Sequence, residues 1–163
     1  MAVLLVGFGS STSYAKATDN PGSVANEHRS DVSKFVENLN RVAGEDQKIG
    51  PEVSAIAKEQ SDAASKSADA INSIENRNSL VTFLFGTDYK RIGTLRSQLV
   101  TNQNEINRLT KAIARATDPS VKANLQIQID NLKTIVAKIN QFITENESRF
   151  SILGWAVRLF TKE

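Results

Sequence analysis

The feature that most constrains this chain is a seam in its second half. Ile92, Leu95, Leu99, Asn102, Ile106, Leu109, Ile113 and Ala116 follow one another at spacings of three and four. An α-helix turns once in about 3.6 residues, so side chains spaced this way share one stripe, and a second helix alongside buries them. A half-buried strand would alternate with a period of two, and this segment does not. One amide, Asn102, interrupts the seam. A polar residue in such a place commonly holds register at some cost in stability. The pattern therefore predicts a helix from Tyr89 to about Ala116 that requires a neighbour.

Thr117-Asp118-Pro119 ends that helix and opens the next, since proline suits a first helical turn, where its missing N–H has no intrahelical partner to lose. Val121, Leu125, Ile129, Leu132, Ile135, Val136, Ile139, Phe142 and Ile143 then form an apolar stripe wider than a two-stranded seam needs. Walking about 28 residues from the turn in either direction reaches Tyr89 and Glu147, so each arm of the hairpin is roughly 42 Å long. The surplus apolar face should receive helices from the first half.

Two helices are expected there. Val32, Phe35, Val36, Leu39 and Val42 form a stripe that stops at Gly44, and a polar connection through Glu45-Asp46-Gln47 leads to Gly50-Pro51. The second helix runs to about Asn76 with Val53, Ile56, Ala57, Ala63, Ala64, Ala70, Ile71 and Ile74 inward; so many alanines imply close approach or thin packing. The expected fold is all-α, an elongated three- to four-helix bundle built on a long antiparallel coiled-coil hairpin.

Residues 1–17 read differently. A short apolar run from Ala2 to Phe8 precedes Ala15-Lys16-Ala17, the small-x-small pattern of a signal-peptidase site, with no basic residue before the run. Two readings stay open: a truncated signal peptide or anchor, and a plain hydrophobic terminus. Residues 18–23 form a linker, and the helical bundle occupies 24–163 with an apolar tail at 150–160.

Twenty basic and eighteen acidic residues, interspersed, give a formal charge of +2 with no like-charged block to form a nucleic-acid arm. Phe83 and Phe85 near Tyr89-Lys90-Arg91 are too few aromatics for a single-strand stacking groove, so no nucleic-acid partner is expected. There is no cysteine, which closes thiol and thiolate chemistry. His28 is the sole histidine; flanked by Glu27, Arg29 and Asp31, it reads as a surface residue without catalytic partners. No Glu-x-x-His pair suggests a di-metal bundle, and the glycines form neither a phosphate loop nor a dinucleotide fingerprint. The carboxylate pairs Glu45/Asp46 and Glu145/Glu147 read as solvated surface. Gly86-Thr87-Asp88 reads as a helix cap in preference to an anion site. The chain is expected not to be an enzyme and to use no cofactor or metal.

The hairpin geometry brings residues 80–85, the most apolar short run of the bundle, and the tail 150–160 to the pole opposite the turn. Candidate contacts with a membrane or partner there are Phe83, Phe85, Lys90, Arg91, Phe150, Leu153, Trp155, Arg158 and Phe160. The competing reading is that these segments pack together as a satellite core. As a helix the tail would be roughly 16 Å long, far short of the ~30 Å hydrocarbon layer, so it would lie on a bilayer without spanning it.

Glu27-His28-Arg29-Ser30, Ile49-Gly50 with Val53 and Ile56-Ala57, Phe83-Leu84-Phe85-Gly86-Thr87-Asp88-Tyr89-Lys90 and residues 150–160 together resemble a group of uncharacterised exported proteins of Patescibacteria. The resemblance spans roughly residues 27–160 and carries no known activity. It implies an envelope location with a leader or anchor ahead of the helical part. The expected function is thus a non-enzymatic structural or interaction protein of the cell envelope. The alternatives are a peripheral membrane-binding protein and a small-molecule sensor bundle. Asn102 and the alanine-rich second helix are compatible with self-association.

Overall fold

The computed structural model describes residues 23–77 and 86–147. They form four helices: α1 (Ser23–Glu45), α2 (Gly50–Glu75), α3 (Tyr89–Arg115) and α4 (Pro119–Glu147). At 23 to 29 residues apiece, the helices are about 35–44 Å long at 1.5 Å per residue. The fold is all-α, and among the described residues the bundle has four members.

Side-chain pairs across the helices establish the order. Arg29 meets Asp69 between α1 and α2, Arg108 meets Glu59 between α2 and α3, and Lys138 meets Glu27 and Asp31 between α4 and α1. In each case early residues of one helix face late residues of the other, so neighbours are antiparallel and the chain runs up, down, up, down. Packing is most extensive within the two hairpins, α1 with α2 and α3 with α4; α2 with α3 and α1 with α4 then close the ring.

The core follows the periodicity. On α1, Ala25, His28, Val32, Phe35, Leu39 and Val42 are buried at alternating steps of three and four. Ile92, Leu95, Asn102, Ile106, Leu109 and Ala116 are buried on the second-half seam, and Leu125, Leu132 and Ile139 face them from the adjoining helix. Some expected positions are only half-buried: Val36, Ala63, Ala64, Leu99 and Ile113. In a ring of four, each helix touches two neighbours, so its buried stripe lies between two contact directions and shifts relative to a simple two-helix seam. Ala63 therefore turns aside, while Gln60, Ser67 and Ala68 take the inner face of α2.

The two short turns share the other pole. Gly50 opens α2 directly against α1, where an added Cβ would strike the carbonyl oxygen of Ala43. Asp46, expected as solvated surface, is instead buried at 8% exposure. One of its carboxylate oxygens accepts from the Lys48 N–H at 2.8 Å, and the other accepts from the Thr117 N–H at 3.4 Å. A single side chain thus bridges the α1–α2 turn and the α3–α4 turn.

Candidate functional site

The pole opposite those turns collects the first residues of α1 and α3 and the last residues of α2 and α4. Helix ends carry unpaired N–H and C=O groups, and here neighbouring helices supply the partners. The Glu75 carboxylate at the end of α2 accepts from the N–H groups of Val24 and Ala25 at 3.2 and 3.4 Å, closing the start of α1. Thr87 donates its hydroxyl to the carbonyls of Asn146 and Glu147 at 3.0 and 3.4 Å, closing the end of α4. Asp88 accepts from the Arg91 N–H at 3.3 Å and caps α3. Gly86 adopts φ 78°, a left-handed conformation open to glycine, and directs the chain into this cap. The Gly86-Thr87-Asp88 segment is a cap, as its sequence suggests.

Of the residues expected to contact a membrane or partner, Lys90 and Arg91 lie exposed in the first turn of α3, beside Tyr89 at 69% exposure. Phe83, Phe85, Phe150, Leu153, Trp155, Arg158 and Phe160 lie outside the described residues, as do the leader-like segment 1–17 and residues 18–22 of the linker. Carboxylates of the pole engage its arginines. Arg91 and Arg77 approach Asp88 at 2.8 and 4.0 Å, and Arg96 pairs with Glu147 at 2.6 Å. Glu147 is thus a neutralising partner on the bundle end, not merely a solvated carboxylate.

A second constellation lies inside the bundle. Gln60 on α2 extends its amide between Asn102 and Glu105 on α3, donating to Asn102 Oδ1 at 2.6 Å and to Glu105 Oε2. Gln98 donates to the same Asn102 oxygen at 2.8 Å. Gln60, Asn102 and Glu105 are each at most 1% exposed. Burial pushes the Glu105 carboxyl up to about 7; nearby Glu59 adds to the rise, while the Gln60 hydrogen bond and Arg108 oppose it. An acid that titrates near neutrality is a familiar mark of catalysis. Here the carboxyl is closed off from solvent, with the amides of Gln60 and Asn102 beside it and the charges of Glu59 and Arg108 nearby. Asn102 is visible in the seam. Gln60 and Glu105 carry no such sign, because polar residues on an amphipathic helix are read as outward-facing.

His28 corrects the sequence expectation. It is 8% exposed, not on the surface, and falls one step along the stripe from Ala25 to Val32. Desolvation lowers its pKa below the usual 6.5; Arg29 and Lys138 act in the same direction and Asp31 opposes them. Its Nε2 atom is buried without a hydrogen-bond partner among the described residues. The three-and-four spacing places this position on the inward stripe although its flanks are charged.

Between α1 and α4 lies an open groove of about 250 Å³, floored by Phe35 and Ile135 and edged by Asp31, Lys34, Asn38 and Lys138. Lys138 is already held by Glu27 and Asp31 at 2.6 and 2.7 Å. Among the described residues no cluster of three or more His, Asp or Glu side chains is arranged to hold a metal, and no helix is long and apolar enough to cross a membrane. Compared with protein-family models, curated proteins and solved structures, the chain matches none of them.

Proposed function

We propose that this protein is a non-enzymatic structural or interaction module of the cell envelope that makes its contacts end-on. The observation that carries the reading is the convergence of four helix ends at one pole. Residues 77, 86 and 147, from which the chain enters and leaves the apolar segments 80–85 and 150–160, all belong to that pole. Short, side-chain-bridged turns close the other pole. A bundle about 40 Å long with apolar sequence attached at one end suits a spacer that holds one partner at a distance. The resemblance to exported Patescibacteria proteins and the leader-like residues 1–17 support placing it in the envelope.

A photo-crosslinking amino acid at Tyr89 and, separately, at Asp118 tests this in producing cells. Adducts from position 89 in the envelope fraction, with none from 118, are expected. Equal labelling from both poles, or labelling from 118 alone, removes the end-on reading.

A second reading takes the contact to be a lipid surface. It is favoured by the aromatic and basic sequence of the tail, where Trp155 and Phe160 flank Arg158. Co-sedimentation of the full chain with anionic vesicles distinguishes the two. Binding lost in Trp155→Ala and Phe160→Ala, with a lipid-dependent blue shift of the sole tryptophan, supports the lipid reading. An unshifted spectrum and no binding leave a protein partner.

A further inference from the structure

Salt bridges join the helices both within the hairpins, Arg29 to Asp69 and Arg96 to Glu147, and between them. Between the two hairpins run Arg108 to Glu59 at 2.6 Å and to Glu52 at 3.8 Å, Arg115 to Glu52, and Lys138 to Glu27 and Asp31. The buried amide layer of Gln60, Asn102 and Glu105 lies on the same boundary, where α2 meets α3. Packing between hairpins is also thinner than packing within them. Exposed ion pairs contribute little to stability, so the boundary between hairpins is the plane along which the molecule separates most readily.

At the centre of that plane the buried layer is incompletely satisfied. Glu105 Oε1 and Asn102 Nδ2 are both buried without partners among the described residues. Among the described residues, the charges acting on Glu105 are Glu59 on α2 and Arg108 on its own helix, with none from α1 or α4. Arg108 is itself drawn to Glu59 and Glu52. Among the described residues no cation forms an ion pair with Glu105. As a neutral acid it still accepts from Gln60 and carries no charge, whereas as a carboxylate it is a buried charge with no ion-pair partner among the described residues.

We propose that Glu105 is a pH-dependent latch between the two hairpins: protonated, it holds α2 against α3, and on losing its proton it favours separation of α1–α2 from α3–α4 as two intact hairpins. Loss of the proton breaks the O–H bond of the carboxyl, and hydroxide or buffer base takes the proton as water enters the layer. The opening is a local event of the kind that exposes apolar inner faces without melting the helices.

The chain has no cysteine, so paired spin labels can be introduced cleanly in the full-length protein. Labels at the exposed positions Lys58 and Lys111 report across the boundary, and labels at Lys34 and Lys66 report within the first hairpin. With an open-state carboxyl at its ordinary 4.5 and a closed-state carboxyl at about 7, the opening equilibrium should rise roughly 30-fold between pH 5.5 and pH 8.5. The expected result is a growing long-distance population for the 58–111 pair at pH 8.5, an unchanged 34–66 pair, and loss of the pH effect in Glu105→Gln. Hydrogen exchange of α2 and α3 should rise in parallel, and Glu105→Met provides a second neutral variant if the first folds poorly. A 58–111 distance indifferent to pH overturns the latch. So does a response that persists in Glu105→Gln, or simultaneous broadening of both pairs.

Discussion

The hydroxyl of Thr87 donates to the main-chain carbonyl of Asn146 at 3.0 Å, joining residues 59 positions apart in sequence. The contact ties the entry of α3 to the last turn of α4. Both groups are buried, and Asn146 also folds its own amide back onto the Phe142 carbonyl at 2.8 Å. Replacing Thr87 with valine keeps the shape and removes the donor, leaving the carbonyl without its side-chain partner. The expected cost is about 1–2 kcal/mol. Denaturant unfolding should report the loss, and amide exchange should accelerate in the last turn of α4 before it does in α1.

Two glycines should respond in opposite directions to the same substitution. Gly50→Ala places a methyl against the Ala43 carbonyl oxygen, where backbone on both sides has little freedom to yield. A loss of about 1–3 kcal/mol is expected, as for other overpacked sites. Gly93 lies exposed within α3, with nothing near an added Cβ. Gly93→Ala should therefore stabilise by about 0.5–1 kcal/mol through helix propensity and a less flexible unfolded chain. Thermal midpoints of the two variants, measured beside the parent, check both signs.

Gln60 and Glu105 should show coupled energetics. Gln60→Leu strips Glu105 Oε2 of its donor and leaves Asn102 Oδ1 with Gln98 alone, and is expected to cost about 1–3 kcal/mol. Glu105→Leu removes the acid whose burial is itself unfavourable, so its cost should be small at pH 8. The double variant should recover much of the Gln60→Leu loss. A double-mutant cycle by urea titration measures the coupling, and strict additivity would show that the two side chains act independently.

The pH dependence has a distinct sign for each buried group. The folded pKa of Glu105, about 7, exceeds its ordinary 4.5, so the folded protein binds more protons in this window than the unfolded chain. Stability therefore falls as pH rises from about 4.5 to 7, by an amount on the order of 3 kcal/mol, and levels off above. Glu105→Gln should flatten this limb.

His28 acts the other way. Its folded pKa lies below 6.5, so protonating the unfolded chain becomes favourable first, and stability is lost as pH falls through 6.5 towards the folded value. His28→Leu should remove that acid loss while leaving the Glu105 limb intact. Melting temperatures collected from pH 4.5 to 8.5 for parent and both variants separate the two contributions.

The helices were legible because their signals are local. The steps from Ile92 to Ala116, the proline at residue 119 and the Asp88 cap each state a helix or its end within a few residues. The buried polar side chains were mostly not legible. Gln60 and Glu105 look like solvated helix surface until α2 and α3 are set side by side, and Asp46 looks like a loop carboxylate until a turn 71 residues away comes beside it. His28 is an intermediate case, since its register points inward while its neighbours are charged.

The sequence by itself determined the secondary structure, the antiparallel hairpin of the second half and the pole to which the apolar segments attach. Periodicity, proline and capping residues act through bonds to near neighbours in the chain, so they can be read without knowing the partners. Only the tertiary structure decided that the first two helices complete a ring of four, that Thr87 and Glu75 cap helices other than their own, and that an acid and a histidine lie buried. These depend on which faces meet across the bundle. Whether a polar side chain is solvated or enclosed is a property of that meeting, not of the residue.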